Sequence, residues 1–180
     1  MDTQTCILTR RSHRTFADRP VSRELIQRLV SLAAWAPSWK NAQICRYIAI
    51  EDQAVKEEIA RRFCTAGNNN PAIIAGCPVV VAQTYVAGRS GFNRDGTYNT
   101  QWKDAWQYFD CGVAAQTFCL AAHDLGLASV ILGGLLREEL ETYLQLPEGQ
   151  RLMAFIALGW PAGEPAAPRR KEVADLLTYR

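Results

Sequence analysis

Residues 103–125 run for about six turns of helix with almost no polar stripe. The second half, Cys111-Gly112-Val113-Ala114-Ala115 through Phe118-Cys119-Leu120-Ala121-Ala122, is apolar or small nearly all the way round, and Gly126 stands where a left-handed C′ residue belongs. A surface helix buries one face, whereas a helix without a polar face has to be covered on every side. A chain of 180 residues, most simply one domain spanning 1–180, has difficulty covering such a helix alone. The pattern therefore calls for a second subunit.

Around that helix the chain alternates helical and extended patterns. A short helical segment over 2–9 precedes an arginine-rich stretch. Ser22 reads as the N-cap of a helix reaching about residue 35, with Leu25, Ile26, Leu29, Val30 and Ala33 on one face; Pro37 and Ser38 stop it. An irregular polar segment, 39–43, leads into a strand over 47–50, and Asp52 reads as the cap of a helix over 54–63. Gly67-Asn68-Asn69-Asn70-Pro71 reads as a break, followed by a doubly buried strand at 79–82. Residues 88–99 are rich in Gly, Asn, Arg and Ser and read as a mobile lid beside a pocket. A strand over 128–132 ending at Gly133-Gly134, a helix over 137–146, a strand over 152–158 and a Pro/Ala-rich tail with a turn of helix near 172–177 complete the order. The fold class expected is α+β, a mixed central sheet flanked by helices on both faces.

Several function classes are excluded. A net charge of +2, with the arginines local rather than in a stripe, gives no nucleic-acid surface. The most apolar run, 72–82, is shorter than a membrane span and is broken by Gly76 and Pro78, and the N-terminus has no apolar signal core, so a cytoplasmic protein without a membrane partner is expected. The six cysteines form no C-x-x-C pair and read as buried free thiols, and two histidines cannot build a His-rich metal site. No G-x-G-x-x-G, Walker or G-x-S-x-G motif occurs. The carboxylates Glu57-Glu58 and Glu138-Glu139 fall on exposed helical positions. With few acids, bases or nucleophiles and several groups suited to holding a ligand, the chain points to a cofactor that carries the chemistry itself.

The holding groups cluster at the two termini. Arg10-Arg11-Ser12-His13-Arg14-Thr15-Phe16 places three guanidinium forks and a hydroxyl within five residues, a set suited to a phosphate at one end of a ligand and carbonyl acceptors at the other. Arg169-Arg170-Lys171 would converge on the same anion if the C-terminus folds back. The competing reading is two solvated basic faces.

Four segments in this order resemble the FMN-dependent nitroreductase family: 10–16, Ala36-Pro37-Ser38-Trp39-Lys40-Asn41-Ala42-Gln43, 126–134, and Ala157-Leu158-Gly159-Trp160-Pro161 leading to Pro168-Arg169-Arg170. One departure is that Gln43 is followed by Ile44-Cys45, where the family often has Pro-Trp. The resemblance implies an intertwined homodimer with FMN held between subunits. Arg10, Ser12 and Arg170 would hold the phosphate, with Arg11 and Arg169 nearby, and Arg14 would approach the pyrimidine edge, where a cation favours hydride acceptance. Pro37, Ser38 and Asn41 would come from the partner, the backbone of Gly133 and Gly134 would lie near flavin N5, and Asn69 would bond the pyrimidine edge. Trp39, Phe92, Trp102, Trp106 and Tyr108 would line the substrate pocket. The activity implied is ping-pong reduction of a nitroaromatic, quinone or related small-molecule acceptor by NAD(P)H through N5, with no catalytic side chain and no metal. The alternatives are another flavoenzyme on the same scaffold, such as a dehydrogenase, enoate or azo reductase or dehalogenase, and a non-enzymatic flavin-binding or sensor protein.

Overall fold

The structure, a computed structural model, describes residues 1–180. Its elements in chain order are α1 (Thr3–Thr9), β1 (Phe16–Ala17), α2 (Arg23–Ala33), β2 (Cys45–Ile50), α3 (Gln53–Arg62), α4 (Asn70–Gly76), β3 (Val79–Val86), α5 (Ala105–Asp124), β4 (Ala128–Leu132), α6 (Arg137–Tyr143), β5 (Gln150–Pro161) and α7 (Val173–Leu176). Three helices start where a side-chain oxygen accepts an orphan N–H: Asp2 from Thr5, Ser22 from Leu25 and Asp52 from Val55. Gly126, at φ 76°, carries the chain out of α5.

The α+β class holds, but the sheet is not mixed. All four ladders, β1–β5, β2–β3, β3–β5 and β4–β5, are antiparallel. The one parallel pairing is an isolated bridge between Ser12 and Ser129. The cause is topological. The crossover through α5 leaves β3 and β4 pointing the same way, as alternating helices and strands suggest, but β5 inserts between them and opposes both.

Strand alternation divides the core into two layers. Val80, Ala82, Phe155 and Ala157 face Ile59, Phe63, Ile73, Ile74 and Leu140 of the α3–α4–α6 side. Val79, Val81, Ile156 and Leu158 face Ile26, Leu29, Ala115, Phe118 and Ala122 of α2 and α5. Gly159 has to be a glycine because a Cβ there would lie 2.6 Å from the Pro78 ring and 2.9 Å from Phe16. The Asn-Asn-Asn-Pro break proves to be the start of α4, with Pro71 in its first turn, where a missing N–H costs nothing.

α5 is covered on one side only. Cys111, Ala114, Ala115, Phe118, Cys119 and Ala122 are buried, while Tyr108, Phe109, Gly112 and Gln116 are exposed and border a shallow groove. No helix is long and apolar enough to cross a membrane.

Candidate functional site

Most of the expected site residues fall into two groups at opposite ends of α5, and Asn69, Gly133 and Gly134 form a third where β4 ends beside α4. Near its start, Asp110 is buried at 3% exposure, and both of its oxygens accept the Trp39 backbone N–H, at 3.1 and 3.0 Å. The Ser90 hydroxyl donates to the same carboxylate. Ser38 Oγ accepts from the Gln43 N–H at 3.0 Å, closing a loop in which Lys40, Asn41 and Gln43 all take left-handed φ of 46°, 55° and 47°. Lys40 Nζ donates to Asn99 Oδ1 at 3.3 Å, so the 88–99 segment closes over this loop.

Beside the loop lies a cleft of about 370 Å³ whose walls include Ala33, Pro37, Ser38, Cys45, Tyr47 and Asp110. The Tyr47 hydroxyl in its wall is buried without a hydrogen-bond partner, as is Trp39 Nε1 in the adjoining loop. Desolvation raises the Tyr47 pKa, so this phenol stays a neutral donor.

The aromatic residues expected at a pocket separate. Trp39 and Trp106 pack at 4.5 Å, and Trp106 meets Trp102 at 6.1 Å. Phe92 instead stacks on Tyr98 at 4.9 Å, and Tyr108 packs edge-on to Tyr85 at 6.0 Å. The expected lid is folded on itself. Asn99 N donates to Gly91 O at 2.7 Å and Asn93 N to Thr97 O at 2.8 Å.

At the other end of α5, His123 Nε2 lies 2.8 Å from Thr9 Oγ1, at the threshold of the arginine stretch. His13 N donates to Ser129 O at 3.1 Å, pinning the stretch along β4. Arg11 turns back onto α1, donating to Leu8 O at 2.7 Å and Arg10 O at 2.9 Å, and so satisfies carbonyls at that helix's end. Arg10 and Arg14 take part in none of the ion pairs, and neither do Arg11, Arg169, Arg170 and Lys171. Burial, then the nearby positive charge of His123, lowers the His13 pKa, and a backbone hydrogen bond at Gly163 opposes the shift. The tail does fold back: Glu164, Pro165 and Ala167 line one cleft with Thr9, Arg11, His13 and His123. Arg169 and Arg170 follow within three residues of Ala167, exposed, and the Arg170 guanidinium reaches only Pro168 O at 3.4 Å.

Gly133 and Gly134 end β4. Space is open at Gly133, whereas a Cβ on Gly134 would meet Asn68 Nδ2 at 2.6 Å and Asn70 Nδ2 at 3.0 Å. The side chains of Asn68 and Asn70 thus fill the space beside Gly134. Asn69 sits between these two asparagines, exposed, at the N-cap of α4 and makes no capping bond.

The spacing decides what one chain can do. From Asp110 to His123, α5 advances about 20 Å, so the Ser38 loop and the Arg10 stretch lie far apart within a protomer. Along β4, by contrast, Ser129 and Gly133 are about 13 Å apart, with Ile131 exposed between them.

Asp110 is the buried charge beside the Ser38 loop that the motif reading missed. It was legible as the only charged position between Ala105 and Ala122 of an apolar helix; a charge in that setting needs partners.

An α+β sandwich built on an antiparallel sheet of this kind is a fold shared with known proteins. Residues 7–160 match the Nitroreductase family, and the chain belongs to it. A protein of Archaeoglobus fulgidus, provisionally named NADH dehydrogenase/NAD(P)H nitroreductase, is 32% identical over 162 residues, 88% of this chain and 84% of its own. The NADPH-flavin oxidoreductase of Vibrio harveyi is 26% identical over 91% of this chain and 68% of its own. A Desulfovibrio desulfuricans protein, provisionally a nitroreductase and crystallised in complex with FMN, is 29% identical with a TM-score of 0.79, covering 100% of this chain and 98% of that one.

Proposed function

We propose that two copies of this chain form an FMN-dependent oxidoreductase that uses NAD(P)H to reduce nitroaromatics, quinones or related activated acceptors, each copy contributing one domain over 1–180. The observation that carries the reading is the Arg10–Arg14 stretch, pinned to Ser129 and without an acidic partner at Arg10 or Arg14. An uncompensated pair of guanidinium groups on a fixed segment fits a phosphate. The names of the A. fulgidus and V. harveyi relatives and the FMN of the D. desulfuricans complex support the same ligand and donor.

In this reading Arg10, Ser12, Arg169 and Arg170 hold the phosphate. Along β4 the exposed Ile131 would support the ring, with Arg14 and Asn69 at its pyrimidine edge and the open backbone of Gly133 beside it. Arg11, committed to the α1 carbonyls, acts by charge alone. Because the Ser38 loop lies about 20 Å away along α5, Pro37, Ser38 and Asn41 reach the ring only from the partner. That is the geometry of two α5 helices packed antiparallel across a two-fold axis. Trp39, Trp102 and Trp106 then wall the space above the ring, with Phe92 and Tyr108 supporting the rim. FMN bound there supplies hydride acceptance and donation at N5. The side chains orient donor and acceptor and exclude water.

The test is the visible spectrum of purified protein before and after anaerobic NADPH, for wild type and Arg10→Ala. The expected result is a flavin spectrum bleached by NADPH in the wild type and a colourless variant. A stoichiometrically yellow Arg10→Ala protein would refute the phosphate assignment, and a wild type that cannot be loaded with FMN would overturn the function.

A further inference from the structure

All six cysteines are free, and four are buried; Cys45 and Cys64 are half-buried. Cys45 opens β2 and lines the cleft next to Ser38, so a small solute can reach it. Its Sγ lies 3.8 Å from the Sγ of Cys111, which is 0% exposed on α5 and therefore meets no solute directly. Gln83 Nε2 donates to the Cys111 carbonyl at 2.9 Å and stands 3.8 Å from Cys45 Sγ, holding strand, helix and both sulfurs in one arrangement. Among the cysteines whose pKa is displaced, Cys45 alone is lowered, first by the Cys111 thiol beside it, with help from Gln83 and Arg46; burial and the Asp110 charge oppose the shift. Cys6, Cys64, Cys77 and Cys119 are pushed up by burial, and Cys111 is pushed up first by its bond with Cys45. A reachable thiol, its pKa lowered, backed by a touching, unreachable one is the arrangement of an attacking and a resolving cysteine.

We propose that Cys45 and Cys111 are a redox pair which hydrogen peroxide converts to a reversible disulfide in the wall of the cleft. The Cys45 thiolate attacks one peroxide oxygen. The O–O bond breaks, the sulfur becomes a sulfenic acid, and the other oxygen takes up a proton and leaves as water. The Cys111 sulfur then attacks the sulfenic sulfur, its proton goes to the departing hydroxyl, and a second water leaves as the S–S bond forms. In total the two thiols give up two electrons and two protons, and one peroxide becomes two waters. The cross-link joins β2 to α5 one residue past Asp110, adding a covalent tie beside the hydrogen bonds that hold the Ser38 loop. Thiol reductants restore the open pair.

The experiment treats the purified wild-type protein with one equivalent of hydrogen peroxide at neutral pH, alkylates with N-ethylmaleimide and digests without reductant. The tryptic peptide 41–46, which carries Cys45, is expected to be linked to peptide 104–137 through Cys111 rather than Cys119. Alkylation of Cys45 should fall at least about tenfold, and dithiothreitol should reverse both changes. In Cys111→Ser the sulfenic acid has no resolving partner, so dimedone should label Cys45. Overturning results are peroxide oxidation at other cysteines with Cys45 untouched, or linkage of Cys45 to any sulfur other than Cys111. The wild-type digest decides the matter should the variant fail to fold.

Discussion

The Trp39 backbone N–H donates to both carboxylate oxygens of Asp110, and the Ser90 hydroxyl donates to the same group. One buried anion in α5 thereby ties together the Ser38 loop, the 88–99 segment and the helix that runs through the middle of the molecule. Asp110→Ala removes the acceptor and leaves two donors in a buried site. We expect a loss of about 2–3 kcal/mol in urea unfolding, with Asp110→Asn, which keeps one acceptor oxygen, losing about half as much. Because the Ser38 loop is released, FMN retention should fall in parallel with stability in both variants; unchanged retention would separate the loop from the cofactor site.

At the far end of α5, Thr9 donates its proton to Thr5 O at 2.6 Å and so accepts from His123 Nε2 at 2.8 Å. Burial first, then the charges of Arg10 and Arg11, lowers the His123 pKa, with Asp124 opposing. His13 is lowered by burial, His123 and Arg10, against Gly163 and Glu164. A histidine lowered on folding binds fewer protons folded than unfolded, so stability is complete above the unfolded pKa of about 6.5 and declines as pH falls below it. The melting temperature should therefore drop between neutral pH and about pH 5.5. His123→Gln, which keeps a donor for Thr9 but does not titrate, should flatten that slope; an unchanged slope would assign it to other groups.

Gly91 and Gly88 both have positive φ, 84° and 72°, but only Gly91 is wedged, since a Cβ there would lie 2.1 Å from the Lys103 carbonyl. Gly88→Ala meets backbone strain alone and should cost about 1 kcal/mol. Gly91→Ala must also push the segment away from the start of α5, breaking its bond with the Asn99 N–H. It should cost about 2–3 kcal/mol and hasten tryptic cleavage after Arg89 and Arg94, which limited proteolysis reports directly.

Features written in local chemistry were legible in the sequence: the Ser22 and Asp52 caps, the Gly126 exit, the apolar character of α5 and the arginine stretch. What depended on which segments meet was not. Nothing local to β5 says that it inserts between β3 and β4 and turns a mixed sheet antiparallel. Three asparagines before a proline read as a break because the signals that stop one helix also start another. That Asn68 and Asn70, distant in sequence, pack beside Gly134 could not be read from the Gly-Gly pair itself. Asp110 was visible as an isolated charge, but its partners lie 71 and 20 residues away.

The exposed face of α5 offers a direct test of the two-chain reading. Phe109, at 55% exposure, stands beside Tyr108 over a groove floored by Gly112 and Val113, and nothing in the chain covers it. If a second copy does, a carboxylate at position 109 is buried without a partner, and the apolar contribution of one Phe, about 1.5–3 kcal/mol, is lost as well. Phe109→Glu should then raise the dimer dissociation constant at least about tenfold, seen in sedimentation as a shift toward the mass of one chain. The same variant should lose FMN, because Pro37, Ser38 and Asn41 would no longer reach the Arg10 end of the neighbouring chain. Phe109 touches none of the four expected phosphate ligands but meets Trp106 edge-on at 5.3 Å, so the loss is assigned to assembly only where it accompanies the fall in mass. Glu57→Lys, exposed on α3 against the opposite layer, should leave mass and flavin content unchanged. A Phe109→Glu protein that stays at twice the chain mass with full flavin would place the interface elsewhere, and one that is monomeric with full flavin would show that a single chain completes the site.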